Sequence, residues 1–252
     1  MSRPPPLAEQ PAPAPRRNAL LAALSRRDLE RLQPALELVR LLPGKVVHES
    51  GEAPTHLYFP TTSLLSLICG MEDGSGAGIS LVGDDGMAGL GLFTGGESMP
   101  ERAVVLAGGY AWRLHRAVFR HEESRIGGRR SGGLHPLLLR YSQALTTQIA
   151  QTAVCYRRHT VAQQFCRWLL MCADRLPDRE LQMTQELIAH MLGVRREGIT
   201  EAAGRLQAEH AIHYARGRIA ILDRPALEAH ACECYGVIRR EYERLLPFAR
   251  GA

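Results

Sequence analysis

The segment from Met183 to Leu206 constrains the fold more than any other, because its small residues fall where two helices would have to cross closely. Ala189 would lie under the crossing point, where a larger side chain would hold the helices apart. Gly193 follows at a position that suits a turn with positive φ. The apolar residues that would face the shared core are Ile188, Leu192, Val194, Ile199 and Ala202. The segment therefore predicts a helix-turn-helix.

The second helix of this pair would begin near Arg195 and expose a polar face. Arginine can bind guanine with two hydrogen bonds and glutamate can accept one from cytosine, each worth roughly 1–3 kcal/mol of base discrimination. A solvated helix face without a ligand is the alternative, and the crossing pattern before it favours DNA. Gly198 and Gly204 would weaken this helix by roughly 1 kcal/mol each relative to alanine, so packing must compensate. The predicted base-reading residues are Arg195, Arg196, Glu197, Thr200 and Glu201.

Residues 212–222 alternate apolar and polar positions on both sides of Arg216-Gly217, which predicts a short hairpin, or wing. Arginines near its tip would lie beside a phosphate backbone and contribute affinity without sequence information. The same contribution is expected from polar residues at the start and outer side of the helix pair. The predicted phosphate contacts are Thr184, Gln185, Arg205, Arg216 and Arg218.

Residues 45–114 consist of short β-prone runs separated by Gly, Pro and Asp clusters, the pattern of a small antiparallel sandwich or barrel. Charge divides the chain in the same way. Residues 45–114 contain eight acidic and three basic side chains, whereas residues 115–218 contain nine acidic and sixteen basic ones. An acidic module that avoids phosphate would then precede a basic one that binds it. A merely solvated surface explains the charges about as well.

The N-terminal region has two parts. Residues 1–17 hold six prolines and little to bury, and we expect an extended, mobile tail. Leucines recur at helical spacing from Asn18 to Leu42, Leu36 and Leu38 among them, with Ser25 placed to cap a second short helix. We therefore expect helical turns that give way to strands at Pro43-Gly44.

Residues 137–176 contain no Gly or Pro and are predicted to be helical. An apolar stripe runs along the first part, and so long a helix has more surface than one small sandwich can cover. The stripe would therefore form a dimer contact, although packing on the chain's own β-module remains open. A second helix, capped by Thr160, would start the next domain. The stripe consists of Leu134, Leu138, Tyr141, Leu145, Ile149 and Thr152.

The order of β-module, long helix, MTQELIAHMLGVRREGITEAAGRL and wing resembles the Crp/Fnr transcription regulators over residues 20–225. The resemblance implies an α+β fold: a cyclic-nucleotide-binding-like antiparallel β-roll, a dimerisation helix and a C-terminal winged helix-turn-helix. The boundaries would be a tail at 1–17, the sensor at 18–133, the dimerisation helix at 134–158 and the DNA-binding domain with a helical extension at 159–252. Arg196 and Glu197 match the family's Arg-Glu pair, and Glu201 stands where a basic reader is common.

Two family sensors are not expected. In cyclic-nucleotide binders a glutamate for the ribose precedes a Gly-Leu-Phe like Gly91-Leu92-Phe93, but Gly89 stands there and Arg102 aligns poorly with the phosphate-binding arginine. The iron–sulfur type needs clustered N-terminal cysteines, and the first cysteine is Cys69. His230, Cys232 and Cys234 form a tight group on a predicted helix and could hold a metal ion, but three ligands without a visible fourth make burial without a metal the favoured interpretation. We therefore expect no cofactor, and an effector that the sequence does not identify.

Other classes of function are less well supported. The sequence has no GxSxG, no GxxxxGK[ST] and no HxH, so a β-barrel enzyme is disfavoured. A small-molecule-binding or protein-interaction module whose helix pair has lost DNA binding is the main alternative. No apolar run is long enough for a membrane span or signal peptide, so a cytoplasmic protein with reduced thiols is expected. The sequence thus predicts a homodimeric, sequence-specific regulator that binds palindromic double-stranded DNA, with RNA polymerase as a second candidate partner.

Overall fold

The computed structural model describes residues 12–126, 133–176 and 180–246. The chain begins with helices α1 (Ala19–Ala22) and α2 (Arg26–Leu32), continues through a β-rich module and ends in a helical part with a small sheet. The predicted α+β fold with antiparallel sheets is confirmed. Residues 1–11 of the predicted tail, the glycine-rich stretch 127–132 and the last residues, 247–252, lie outside the described residues. No described helix is long and apolar enough to cross a membrane.

Two antiparallel sheets form the β-module. Their strands are β1 (Leu36–Leu41), β2 (Val46–His48), β3 (His56–Pro60), β4 (Leu64–Gly70), β5 (Gly76–Val82), β6 (Arg102–Ala107) and β7 (Gly109–His115). The first sheet has the order β1-β7-β3 and the second the order β2-β6-β4-β5. Apolar side chains such as Phe59, Leu65 and Leu114 fill the space between them and are fully buried. Two short helices, α3 (Gly91–Thr94) and α4 (Arg116–Ile126), flank the last strands.

The N-terminal region corrects two predictions. Leu36 and Leu38 do not continue a helix, because residues 36–41 pair with β7 along their whole length in an antiparallel register. That pairing partner is distant in sequence, so local spacing could not reveal it. The end of the predicted tail is also docked: the indole of Trp112 donates to the Pro13 carbonyl, and Arg17 donates to the Thr61 carbonyl. The predicted cap is present, since the Ser25 side chain accepts from the Asp28 amide.

The long helix α5 (Leu134–Arg158) lies along the β-module. Its predicted dimer stripe is mostly buried inside the chain, and Tyr141 donates a hydrogen bond of 2.8 Å to the Met87 carbonyl. The prediction that this stripe forms a contact between two chains is therefore wrong. The stripe packs on the chain's own core, which is the alternative that the sequence left open. Ile149 alone of the stripe is half-buried. The buried stripe residues are Leu134, Leu138, Tyr141, Leu145 and Thr152.

The C-terminal part begins with α6 (Val161–Arg175), which Thr160 caps in a reciprocal capping box with Gln163. The elements that follow are β8 (Leu181–Gln182), α7 (Gln185–Leu192), α8 (Arg196–Ala208), β9 (Ile212–Ala215), β10 (Arg218–Ile221), α9 (Arg224–His230) and α10 (Glu233–Leu245). The buried face of α6 packs against α8, α9 and α10. The three strands form an antiparallel sheet of order β8-β10-β9.

Candidate nucleic-acid interface

Helices α7 and α8 form a tight helix-turn-helix. The Thr184 side chain caps α7 by accepting from the Leu187 amide. Gly193 ends α7 with a φ of 64°, the left-handed conformation that glycine adopts without strain. Arg195 is the N-cap of α8. A tight turn at Gly193 was predicted from the sequence for this reason.

Small residues allow the helices to approach one another. Ala189 is buried on α7, and Ile199 and Ala202 are buried on α8. A β-carbon at Gly198 would lie 3.3 Å from Cγ1 of Val161, so this glycine lets α8 pack closely on α6. The glycine that weakens the isolated helix therefore contributes to its packing, which is the compensation that the sequence required.

The outer face of α8 is exposed. None of the five predicted base-reading residues is buried, and the same holds for Arg205. The Thr200 hydroxyl donates to Oε1 of Gln185 at 2.7 Å, which ties the start of α7 to the middle of the α8 face. Glu201 forms an ion pair with Arg205 one turn later. Arg195, Arg196 and Glu197 at the helix start thus project toward solvent with their charges available to a ligand.

The wing lies beside this helix start. The Met183 amide donates to the Gly217 carbonyl at 2.8 Å, and β10 pairs with both β8 and β9. Between the wing and the two helix N-termini lies an open cleft of about 450 Å³. The cleft brings together four of the predicted DNA-contacting residues. Its lining residues are Thr184, Gln185, Glu186, Arg196, Tyr214, Arg216 and Gly217.

Two predicted phosphate contacts lie outside this cleft. Arg218 lies on the other side of the wing, 4.0 Å from the Glu180 carboxylate. Arg205 lies near the C-terminal end of α8, beside Glu201. The predicted residues therefore form a central group at the cleft and two flanking arginines.

Sequence reasoning missed Tyr214, which lines the cleft and donates from its hydroxyl to the Met183 carbonyl at 2.8 Å. Burial raises the pKa of Tyr214, and the nearby charge of Arg196 partly offsets that rise. Its place as an aromatic residue on the first wing strand was the available signal. Tyr214 holds the wing against the helix pair and leaves Arg196 at the mouth of the cleft.

The helix-turn-helix is also fastened to the β-module. The Tyr156 hydroxyl on α5 bonds to the Gly78 carbonyl at 2.6 Å and to the Met191 carbonyl at 3.0 Å. A β-carbon at Gly78 would lie 3.1 Å from that same Met191 oxygen. One side chain of the long helix therefore contacts both β5 and the end of α7.

Position 89 has no room for the ribose-binding glutamate of cyclic-nucleotide regulators. Gly89 has a φ of 94°, and a β-carbon there would lie 2.7 Å from the His56 carbonyl oxygen. Any side chain would strain the backbone and collide with β3. Arg102, which aligns poorly with the phosphate-binding arginine of those regulators, lies on β6 with its Nε 3.6 Å from the Glu49 carboxylate.

The predicted grouping of His230 with Cys232 and Cys234 on one helix is wrong. Helix α9 ends at His230, and α10 begins at Glu233 after a break, so these residues do not share a helix face. His230 instead lies 2.5 Å from the Glu209 carboxylate. The two cysteines face residues from the end of α5.

The helix-turn-helix and the wing, residues 181–221, are called the head below. The fold and this exposed head define a class of protein: a β-roll joined by a long helix to a winged helix-turn-helix. Residues 163–230 match the model of the Crp-like helix-turn-helix domain. A search of curated proteins by sequence finds no match. The resemblance to the Crp/Fnr regulators is confirmed, since residues 163–230 match the Crp-like domain and most of the chain is similar in fold to solved structures of these regulators.

Solved structures give the extent of this likeness. FixK2 from Bradyrhizobium japonicum has a TM-score of 0.65 at 15% identity, covering 78% of this chain and 98% of FixK2. A putative Crp/Fnr-family regulator from Eubacterium rectale has a TM-score of 0.62 at 18% identity, covering 83% and 96%. The CRP-family regulator TTHB099 from Thermus thermophilus has a TM-score of 0.60 at 20% identity, covering 77% and 96%. The Crp-like domain and this shared fold support a DNA-binding transcriptional regulator.

Proposed function

We propose that the protein is a sequence-specific transcriptional regulator that binds a palindromic DNA operator as a homodimer. The observation that carries the proposal is the exposed N-terminal face of α8 beside the wing, where Arg196 and Arg216 border one cleft. Positive charges on both sides of a groove of this kind complement a phosphate backbone. The start of α8 would enter the major groove, as in other helix-turn-helix proteins.

Within this proposal the polar residues divide into two roles. Arg195, Arg196, Glu197, Thr200 and Glu201 would read base edges, since they lie on the exposed side of α8. The N-terminus of α7 would bind a phosphate through its free amides, because helix N-termini attract anions. The proposed phosphate contacts are Thr184, Gln185, Arg205, Arg216 and Arg218.

The homodimer would form through the face of α5 that points away from the β-module. Large apolar side chains are exposed there: Leu139 is 54% exposed and Val154 is 52% exposed. Gln143 and Ala150 are exposed at intervening helical spacings, so the face is continuous along the helix. Pairing two such helices in parallel would set the two heads side by side, as binding to half-sites roughly 34–36 Å apart requires.

The β-module would act as the sensor of an effector that is not a cyclic nucleotide, in line with the blocked position at Gly89. Its signal would reach the head through α5, because Tyr156 contacts both β5 and α7. A dimer on a promoter would also meet RNA polymerase, which we keep as a second candidate partner.

Selection of bound duplexes from a random DNA pool, with and without cyclic nucleotides, tests this function. We expect enrichment of an inverted repeat whose half-sites lie about 10 base pairs apart, with no change on adding nucleotide. A parallel selection with the Arg196→Ala/Arg216→Ala variant serves as the matched control and should enrich nothing. Enrichment of no sequence by the wild-type protein would contradict the proposal, and a single half-site would contradict the dimer.

A further inference from the structure

Three cysteines and one histidine from distant parts of the chain meet at the break between α5 and α6. Cys155 lies in the last turn of α5, and His159 is the C-cap of that helix. Cys232 is the N-cap of α10, and Cys234 lies in its first turn. One ligand atom from each of the four residues falls within 4.8 Å of all the others. The chain thus assembles four soft or borderline donors around one point.

The distances fit a tetrahedral metal site. Sγ of Cys155 lies 3.5 Å from Sγ of Cys232, and Sγ of Cys234 lies 3.5 Å from Nδ1 of His159. Around a zinc ion with bonds of about 2.0–2.3 Å, neighbouring ligand atoms of a tetrahedron lie about 3.4–3.8 Å apart. A disulfide would instead need about 2.05 Å between sulfurs. The four donors therefore need only small movements to bind one ion.

The surroundings are those of a buried structural site. Cys155 and Cys234 are fully buried and Cys232 is 4% exposed, whereas the His159 side chain is 13% exposed. Among the described residues the three cysteines form a small buried cluster of their own, separate from the main apolar core. Three buried thiols in contact with one another and with an imidazole are an unusual choice for a core, because apolar side chains would pack there without polar atoms.

Neighbouring side chains hold the histidine and one of the cysteines in orientation. Nε2 of His159 lies 3.2 Å from the Glu233 carboxylate, which leaves Nδ1 directed at the sulfurs. A histidine that binds a metal commonly donates its other nitrogen to a carboxylate in this way. The Gln151 amide donates to Sγ of Cys234 at 3.2 Å, the kind of contact that stabilises a thiolate. These contacts join segments that are distant in the sequence, where His230 is the histidine nearest to the two C-terminal cysteines.

We propose that Cys155, His159, Cys232 and Cys234 bind one zinc ion in a closed Cys₃His site. Tetrahedral thiolate and imidazole donors select zinc among the common divalent ions. On binding, each of the three thiols loses a proton to solvent and the imidazole binds through its neutral Nδ1. The ion's two positive charges and the three thiolates leave the site with a single negative charge.

The site would join α10 to the point where the long helix gives way to the DNA-binding domain. His159 immediately precedes Thr160, the N-cap of α6. A bound ion would thus fix the angle between α5 and the head by a link that neither helix supplies alone. The site does not depend on DNA binding and is tested without DNA.

The metal content of the purified full-length protein tests the proposal. The protein is expressed in zinc-supplemented medium, desalted and analysed by elemental mass spectrometry, beside Cys234→Ala and the matched control Cys172→Ala. Both cysteines are fully buried, but Cys172 lies outside the cluster. We expect one zinc ion per chain in the wild-type protein and in Cys172→Ala, and loss of the ion in Cys234→Ala. Circular dichroism checks that both variants are folded.

A cobalt titration of the chelator-stripped wild-type protein keeps the test independent of the variants. Tetrahedral Co²⁺ bound to thiolates gives intense visible bands and a near-ultraviolet charge-transfer band, and zinc should displace it and remove them. His159→Asn should shift and weaken these bands, because it removes the only nitrogen donor. The proposal is overturned if the wild-type protein carries no zinc and gives no tetrahedral cobalt spectrum, or if it carries iron instead.

Discussion

The guanidinium of Arg175 on α6 holds the carboxylate of Asp85 in a buried two-point contact between the DNA-binding part and the β-module. Nε of Arg175 donates to Oδ1 of Asp85 at 3.0 Å, and Nη2 lies 2.8 Å from Oδ2. Arg175 also donates to the Gln148 side chain on α5 and lies over the Tyr242 ring on α10. One buried arginine therefore joins four parts of the chain.

Removing one member of this pair should destabilise the protein strongly. We expect Arg175→Met to lower the free energy of unfolding by about 3–5 kcal/mol, because Asp85 would remain buried without its countercharge. The matched control is Arg26→Met, whose exposed pair with Glu30 should contribute less than about 1 kcal/mol. Urea unfolding measures both. Equal, small effects of the two substitutions would contradict the role assigned to the buried pair.

Asp84, next to this pair, should make stability depend on pH. Burial, and secondly the charge of Asp85, raises the pKa of Asp84 from 3.8 to about 7. A raised carboxyl pKa makes its full contribution to the stability of the fold below pH 3.8. This contribution is lost as pH rises to about 7, because the unfolded chain ionises the carboxyl in water whereas the folded chain would have to bury the charge. We expect Asp84→Asn to unfold at a higher temperature than wild type at about pH 8 and to show a much smaller advantage at about pH 5. An advantage that is equal at both pH values would argue against this.

Two glycines of the helix pair should respond oppositely to alanine. Gly193→Ala should cost about 1–2 kcal/mol, because its φ of 64° is strained for an L-residue and its β-carbon would lie 3.3 Å from Ala77. Gly204→Ala should stabilise by about 0.5–1 kcal/mol, since it lies within α8 and no atom comes within 4 Å of its added β-carbon. Thermal or urea unfolding distinguishes them. A Gly193→Ala variant as stable as wild type would show that the turn does not need glycine.

A charge on the exposed face of α5 should separate the proposed dimer without unfolding the chain. Ala150 is exposed on that face, and Ala150→Glu would place two like charges opposite each other in a parallel helix pair. Sedimentation equilibrium should give the mass of one chain for this variant and of two for wild type. Ala229→Glu, on the exposed side of α9, is the control and should remain dimeric. A dimer that survives Ala150→Glu would place the contact elsewhere.

Local patterns in the sequence predicted the features that depend on neighbouring residues. Ala189 and Gly193 predicted the helix crossing and turn, and the alternation around Gly217 predicted the wing, because each arises within a few residues. Contacts between distant segments were not predictable in this way. The spacing of Leu36 and Leu38 suits a helix turn as well as a strand, and only β7 decides between them.

The spacing of apolar residues along a helix likewise does not reveal which surface they pack against. The α5 stripe around Tyr141 predicted a buried face correctly, but its partner is the β-module of the same chain. The cysteine cluster shows the same limit. Cys155 and Cys232 are 77 residues apart, so no local motif could join them. Fold and head were therefore readable from the sequence, whereas long-range partners needed the structure.

DNA binding through α8 and the wing is tested most sharply by the effect of single arginines on the affinity for two DNA duplexes. Wild type, Arg196→Ala, Arg216→Ala and the control Arg26→Ala are titrated by fluorescence anisotropy against the selected operator and a scrambled duplex, over a range of salt concentrations. We expect Arg196→Ala to weaken operator binding by about 5- to 150-fold and to leave the scrambled duplex nearly unaffected. Arg216→Ala should weaken both and reduce the salt slope by about one, and Arg26→Ala should match wild type. Wild-type affinity of both Arg196→Ala and Arg216→Ala for the operator would contradict DNA binding through α8 and the wing.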